Sequence, residues 1–219
     1  MRLSKGGWIS LLVILLLVTD QVIKFAVKLN MTIGESIPVF GNWFQICFIE
    51  NNGMAFGMQF GGSIGKLALS LFRVVLIGFI IVYLRRLIKR TDTPTGVLVG
   101  LALVLVGAIG NVIDCLFYGE IFSASTYTQV AQLFPPDGGY TGLLYGKVVD
   151  MFYFPIIDTT WPQWMPLCGG EHFIFFSPIF NFADAAISCG IIAMILFYSK
   201  YLNELVEGSS KKVKKNNEK

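Results

Sequence analysis

Residues 6–24 read GGWISLLVILLLVTDQVIK, and the fold turns on how this stretch ends. Its charge-free part, Gly6–Thr19, makes roughly 21 Å of α-helix, against roughly 30 Å of hydrocarbon in a bilayer. To cross, the helix has to take in Asp20, Gln21 and Lys24. The last apolar run is also short: Ala185–Ser199 carries no charge, so a span there has to include Asp184. An acid inside a membrane costs about 2.5–3.5 kcal/mol on insertion scales, so by default it marks a functional site.

Working outward, hydrophobic residues form 54% of the 219 and charged residues only 14%. That balance places the chain among integral membrane proteins. Four spanning helices are predicted, at Gly7–Lys28, Leu67–Leu84, Pro94–Ile113 and Ile179–Ser199. They form one membrane α-helical domain over residues 1–199, followed by a basic tail over 200–219. Arg2 and Lys5 before an apolar run resemble a signal peptide. The run ends in Thr19-Asp20-Gln21 without a small-x-small cleavage site, so a retained first helix is predicted.

The cations set an orientation. Two precede the first helix, four lie in the connection Arg85–Arg90, and six follow the fourth helix, together 12 of the 17 Lys and Arg. The positive-inside bias then puts both termini in the cytoplasm, with Leu29–Lys66 and Asp114–Pro178 external. A net charge of +3 gives no reason to invoke nucleic acid. The tail Ser209–Lys219 reads as disordered and solvated.

The external segments differ from the helices. Residues 32–60 alternate Ile33, Ile37, Val39, Trp43, Phe44, Ile46 and Phe48 with polar residues, the pattern of a small sheet lying on the membrane. Residues 119–178 hold most of the prolines and the turn signals Pro135-Pro136, Gly138-Gly139 and Gly169-Gly170. Cys47 and Cys168 are both external and able to pair in an oxidising compartment. Cys115 and Cys189 read as small apolar residues. A lone His172 makes no metal site, and neither a metal nor a cofactor is predicted.

Counting from the cytoplasmic ends at ~1.5 Å per residue puts Asp114 near 28 Å, Asp184 near 24 Å and Asp20 near 21 Å. Asp150 lies in the apolar run Val148–Phe154 and is able to reach the same level. Two carboxylates close together in a dry setting cannot both ionise; sharing one proton, they activate a water and protonate a leaving group. The alternative is that these acids are counter-ions for Lys24 and Arg73. For Asp20 and Lys24, at i,i+4 on one face, the counter-ion reading is favoured. Arg73 either snorkels or pairs with an acid. Gly61-Gly62-Ser63-Ile64-Gly65 fits a nucleophile elbow, but it opens a membrane helix and lacks a preceding strand. A small proton-coupled transporter or channel, using the same acids as a relay, is the rival class.

Five boxes carry a resemblance to the bacterial lipoprotein signal peptidases (signal peptidase II). They are Asp20-Gln21-Val22-Ile23-Lys24; Glu50 through Gly57; Gly107 through Asp114; Gly146 through Met151; and Phe180 through Ile187. The order and spacing resemble the family's across most of residues 20–187. The resemblance implies an aspartic endopeptidase of the bacterial inner membrane. It implies four transmembrane helices, a small external β-sheet cradle and a site on the periplasmic side. Its substrates would be diacylglyceryl-modified prolipoproteins met within the membrane lipid, cut on the amino side of the lipidated cysteine by a monomer. The family's catalytic aspartates match Asp150 and Asp184. Asn51, Gly53, Asn111 and Asn181 match positions that line the site or hold substrate, and Asp20, Lys24 and Asp114 match supporting positions. Two departures stand out. Cys115 occupies a position where the family usually has arginine, with Arg73 and Lys147 as the cations available to take its place. Extra external loops, over 119–145 and again before Asn181, separate the boxes.

Overall fold

The computed structural model describes residues 3–53 and 62–217. Two expectations therefore lie partly outside the described residues: Met54–Gly57 of the second box, and Gly61 with the Ser63 side chain of the elbow pattern.

Among the described residues, four helices are long and apolar enough to cross a membrane. They are α1 (Lys5–Asn30), α2 (Gly62–Ile88), α3 (Thr95–Ile113) and α5 (Phe182–Asn217). Ser4 starts α1, its hydroxyl accepting from the Gly7 amide at 3.1 Å. Pro94 precedes the first residue of α3, where its fixed φ suits a helix entry. Leu11, Leu15, Val18 and Val22 of α1 face outward together with Phe72, Val75, Phe79 and Val82 of α2 and Ile191, Ile195 and Leu196 of α5. Exposed apolar stripes of this size belong in lipid.

Strands follow α1 and immediately precede α5. β1 (Ser36–Phe40), β2 (Phe44–Asn51), β3 (Val148–Tyr153) and β6 (Ile179–Phe180) form an antiparallel sheet in the order β1-β2-β3-β6. β4 (Ile157–Thr160) and β5 (His172–Phe175) form a separate hairpin between β3 and β6. The sheet predicted for 32–60 is thus extended by strands from the far loop. Asp150 stands on a central strand opposite Ile49, not on a loop. Residues 179–180 belong to β6, because Asn181 ends the strand and caps α5: its Oδ1 accepts from the Asp184 amide at 2.9 Å. At its other end α5 continues through Asn217, so the tail predicted to be disordered is helical to that point. Tyr198, Tyr201 and Leu205 keep the helical spacing and pack on the bundle interior, and Tyr201 donates to Thr93 Oγ1 at 3.1 Å.

Packing divides into three tiers. Away from the sheet, Ile9, Leu84, Leu87, Val97, Leu98, Ala102 and Leu105 form one apolar cluster. Beneath the sheet, Val27, Met31, Phe48, Tyr118, Phe122, Val149 and Met151 form another. Between them α3 and α5 come into backbone contact. A Cβ on Gly107 would sit 2.2 Å from the Ala183 carbonyl oxygen, and one on Gly190 would sit 2.6 Å from that of Gly100. Small residues permit this approach where lipid offers no hydrophobic drive to helix association. It brings the polar residues of α3 against the start of α5.

Past Ile113 the helix widens into a π-turn over Asp114–Tyr118 and closes with the short α4 (Gly119–Ile121). Carbonyls of this turn are freed for tertiary use. Cys115 O accepts from Gly146 N at 2.9 Å and Leu116 O from Leu144 N at 3.4 Å. The chain entering β3 is therefore zipped along the π-turn, which fixes where Asp150 emerges. All four cysteines are free, so Cys47 and Cys168 form no disulfide.

Candidate active site

The polar layer between the apolar tiers contains two groups of acids. The first is built on α1. Lys24 Nζ lies 3.2 Å from Asp20 Oδ2, 2.8 Å from Asp114 Oδ2 and 2.9 Å from Asn111 Oδ1. An ammonium has three protons, and here each has an acceptor. The i,i+4 pairing of Asp20 with Lys24 is as the sequence suggested; Asp114 joins it from the π-turn that follows α3. Gln21 Nε2 donates to Asp20 at 3.0 Å and to Asp114 at 3.2 Å, and Tyr118 donates to Gln21 Oε1 at 3.1 Å. Asp20, Lys24 and Asp114 are wholly buried.

The free lone pairs of these acids hold the second group in place. Asp20 Oδ1 accepts from the Ala183 amide at 3.0 Å, an unfilled donor in the first turn of α5. Asp114 Oδ2 accepts from the Val149 amide at 3.2 Å, one residue before Asp150. A side chain at Gly110 would meet Asp20 Oδ2 at 2.6 Å, so the helix must be bare there.

Asp150 and Asp184 are joined through amides alone. Asn181 donates to Asp150 Oδ1 at 2.6 Å and to Asn111 Oδ1 at 3.1 Å. Asn111 donates to Asp184 Oδ1 at 2.7 Å. Asn51 donates to the other Asp150 oxygen, Oδ2, and accepts from the Gly53 amide at 2.5 Å. Lys24 determines the orientation of this relay. Its cation claims the Asn111 carbonyl oxygen, so the Asn111 NH2 has to face Asp184. Asp150 is 2% exposed, while Asp184 is only half-buried, leaving one member of the pair accessible. Burial first, and then the negative charge of Asp184, push the Asp150 carboxyl up to about 7. At neutral pH such a group exchanges a proton readily.

All nine residues singled out in the sequence lie in this network. The structure also adds several that sequence reasoning passed over. Lys28 is buried against Glu50 of β2, which also accepts from Ser125 at 3.1 Å and faces Lys147 at 3.5 Å. The Lys28 ammonium lies 5.2 Å from the ring centres of both Phe122 and Tyr140. The 119–147 loop thus folds over this cation and fixes the strand that carries Asn51. Asp20, Lys24 and Lys28 recur every four residues, the one sequence signal that pointed to it. On α2, Lys66 donates to Asn52 Oδ1 at 3.1 Å and to Tyr145 O at 2.6 Å. Arg73 donates to Gly53 O and reaches within 3.9 Å of Cys115 Sγ, whereas Lys147 turns to Glu50. Among the described residues no group of three or more His, Cys, Asp and Glu is arranged to hold a metal ion.

Fold and site together define a multi-pass membrane protein whose acids converge at one end of a helical bundle. Residues 12–200 match the family model described as Signal peptidase (SPase) II. The chain belongs to that family. A lipoprotein signal peptidase of Porphyromonas gingivalis is 49% identical over 207 residues, covering 94% of this chain and 89% of the relative. One from Amoebophilus asiaticus is 37% identical, covering 84% and 74%. A bacterial membrane enzyme solved by the in meso method at 1.9 Å superposes with a TM-score of 0.57, over 87% of this chain and 91% of that one. At 23% identity it speaks to the fold alone. Membership of a peptidase family leaves the transporter reading without support.

Proposed function

We propose that this protein is an aspartic endopeptidase that removes signal peptides from diacylglyceryl-modified bacterial prolipoproteins. Its relatives carry the name lipoprotein signal peptidase, which supports the reading. On this proposal cleavage falls on the amino side of the lipidated cysteine. Asp150 and Asp184 share a proton. One carboxylate takes a proton from the attacking water and the other gives one to the departing amine. The pair titrates as a unit, so the two roles belong to the pair.

The observation that carries this reading is the amide bridge Asp150–Asn181–Asn111–Asp184. It holds two carboxylates in register without a cation that would fix both as ionised. Asn51, Asn111, Asn181 and the Gly53 backbone are the groups that orient an extended substrate chain. The diacyl chains stay in hydrocarbon, each buried methylene contributing about 0.8 kcal/mol to anchoring, so enzyme and substrate meet in the bilayer plane. The cations of the Arg85–Arg90 connection lie at the bundle end away from the sheet, and the positive-inside bias supports reading both termini as cytoplasmic and the site as periplasmic.

The test is cleavage of a diacylglyceryl-modified prolipoprotein by purified Asp150→Asn and Asp184→Asn variants. Each is expected to lose cleavage while accumulating normally. Cleavage that survives both substitutions would overturn the assignment.

A further inference from the structure

The polar residues of α2 have no part in the chemistry described so far. Lys66, Ser70 and Arg73 recur at i, i+4 and i+7, one face of a helix that otherwise presents large apolar side chains to lipid. Each side chain reaches the turn or the loop beside the acid pair. Lys66 bonds Asn52 and the Tyr145 carbonyl, Ser70 lies 3.3 Å from the Leu144 carbonyl, and Arg73 bonds the Gly53 carbonyl. Arg73 is the informative member. It sits about 13 Å along the span from Ile64, and among the described residues no carboxylate lies within 4 Å of its guanidinium. An arginine at that depth without a counter-ion is costly unless its donors are used.

Those donors lead to Asp150. Arg73 Nη2 holds Gly53 O, the Gly53 amide holds Asn51 Oδ1, and Asn51 Nδ2 holds Asp150 Oδ2. Gly53 has φ +84°, and a Cβ there would lie 2.7 Å from Arg73 Nη1, so the turn and the guanidinium are fitted to each other. We propose that Arg73 is a positioning residue: by clamping the Gly53 carbonyl it aims the Asn51 amide at the Asp150 carboxylate. The inference rests on the reading of Asp150 as half of the catalytic pair. Its place beside Cys115 means that a cation from α2 stands next to the position, in the π-turn after α3, where the family pattern has an arginine.

The experiment compares the full-length Arg73→Met and Arg73→Lys proteins with wild type, using a diacylglyceryl-modified prolipoprotein across pH 5–9. Four groups set the Asp150 charge: Asn51 from β2, Asn181 before α5, Asp184 on α5 and Lys24 on α1. Asn51 favours the ionised form, so misaiming it moves the limb of the pH profile in which Asp150 titrates to higher pH. For Arg73→Met the expected result is a kcat about 10- to 100-fold lower, KM within about 3-fold and that upward limb shift. Arg73→Lys, which keeps a donor, is expected to recover most of kcat. An Arg73→Met enzyme with unchanged kcat, or one that loses rate with an unmoved limb, overturns the inference. So does a loss carried mainly by KM. Should Arg73→Met not accumulate, Arg73→Lys and Arg73→Gln are both required to keep at least a tenth of wild-type kcat, and a larger loss in either overturns it. Asp150→Asn separates the two levels. If that variant cleaves normally, the aspartic reading fails. If it is inactive and Arg73→Met is indifferent, only the positioning role fails.

Discussion

Two pairs of aspartates lie in adjoining parts of one polar layer, and they are built differently. Asp20 and Asp114 face each other across the Lys24 ammonium, with every proton of the cation placed. Asp150 and Asp184 face each other across the amides of Asn181 and Asn111. A cation between two acids satisfies both as anions and makes a strut. Amides between two acids hold geometry but leave a negative charge in need of a proton. Residue type is the same in the two pairs; on the proposed mechanism, what stands between them decides whether a pair is structural or carries chemistry.

The largest effect that sharpens this contrast is catalytic. Asp150→Asn and Asp184→Asn are each expected to lower kcat by about 10²–10⁴-fold with near-normal accumulation, read by cleavage rate and thermal unfolding of the purified proteins. Equal losses of fold and rate would erase the distinction. Next, Lys24→Met strands two buried anions and is expected to cost about 3–5 kcal/mol, read as collapse of membrane abundance and unfolding temperature. A normally accumulating variant would contradict the strut.

A third test uses pH. Asp150 ionises near 3.9 in an unfolded chain and about 7 here, so between those values the unfolded state holds fewer protons. Stability of the wild type should therefore fall as pH rises from roughly 4 to 7, by on the order of a few kcal/mol, and level off above. Asp150→Asn should lack that slope, and identical slopes in the two proteins would refute it. The smallest effect is that of Asp114→Asn, which weakens the Lys24 contact beside the Val149 amide. A stability loss of about 1–3 kcal/mol is expected, with turnover of the folded fraction within about 3-fold. An abundant but inactive variant would move Asp114 into the other class.

Legibility in the sequence followed the range of the interactions. Helix existence was readable because apolar runs need no partner to be recognised, and Asp20–Lys24 because both partners lie one turn apart. Residues 179–181 were misread as helix because Ile179 and Phe180 are as apolar as the span behind them, while the Asn181 cap becomes visible only once Asp184 is seen to bond it. β3 was not recognisable as a central strand: Val148–Met151 is buried on both faces, so the alternation that marks a surface strand is missing. The Lys28–Glu50 pair and the α2 stripe join residues 14 or more positions apart, and no local pattern announces them. Depth counting placed Asp20, Asp114 and Asp184 near one level but could not say which acids pair. That choice came from the motif resemblance, and the amide bridge is the geometry that supports it.

The capping of α5 by Asp20 has a consequence for biogenesis. Helix α1 is synthesised before α5 and carries the acceptor that α5 needs, and Lys24 on α1 orients the amide facing Asp184. A nascent chain halted before residue 181 holds one half of the proposed proton pair and lacks the Ala183 amide that Asp20 Oδ1 accepts from. On the proposed mechanism, hydrolytic competence then arrives only once α5 is inserted, and a chain still lacking α5 stays inert.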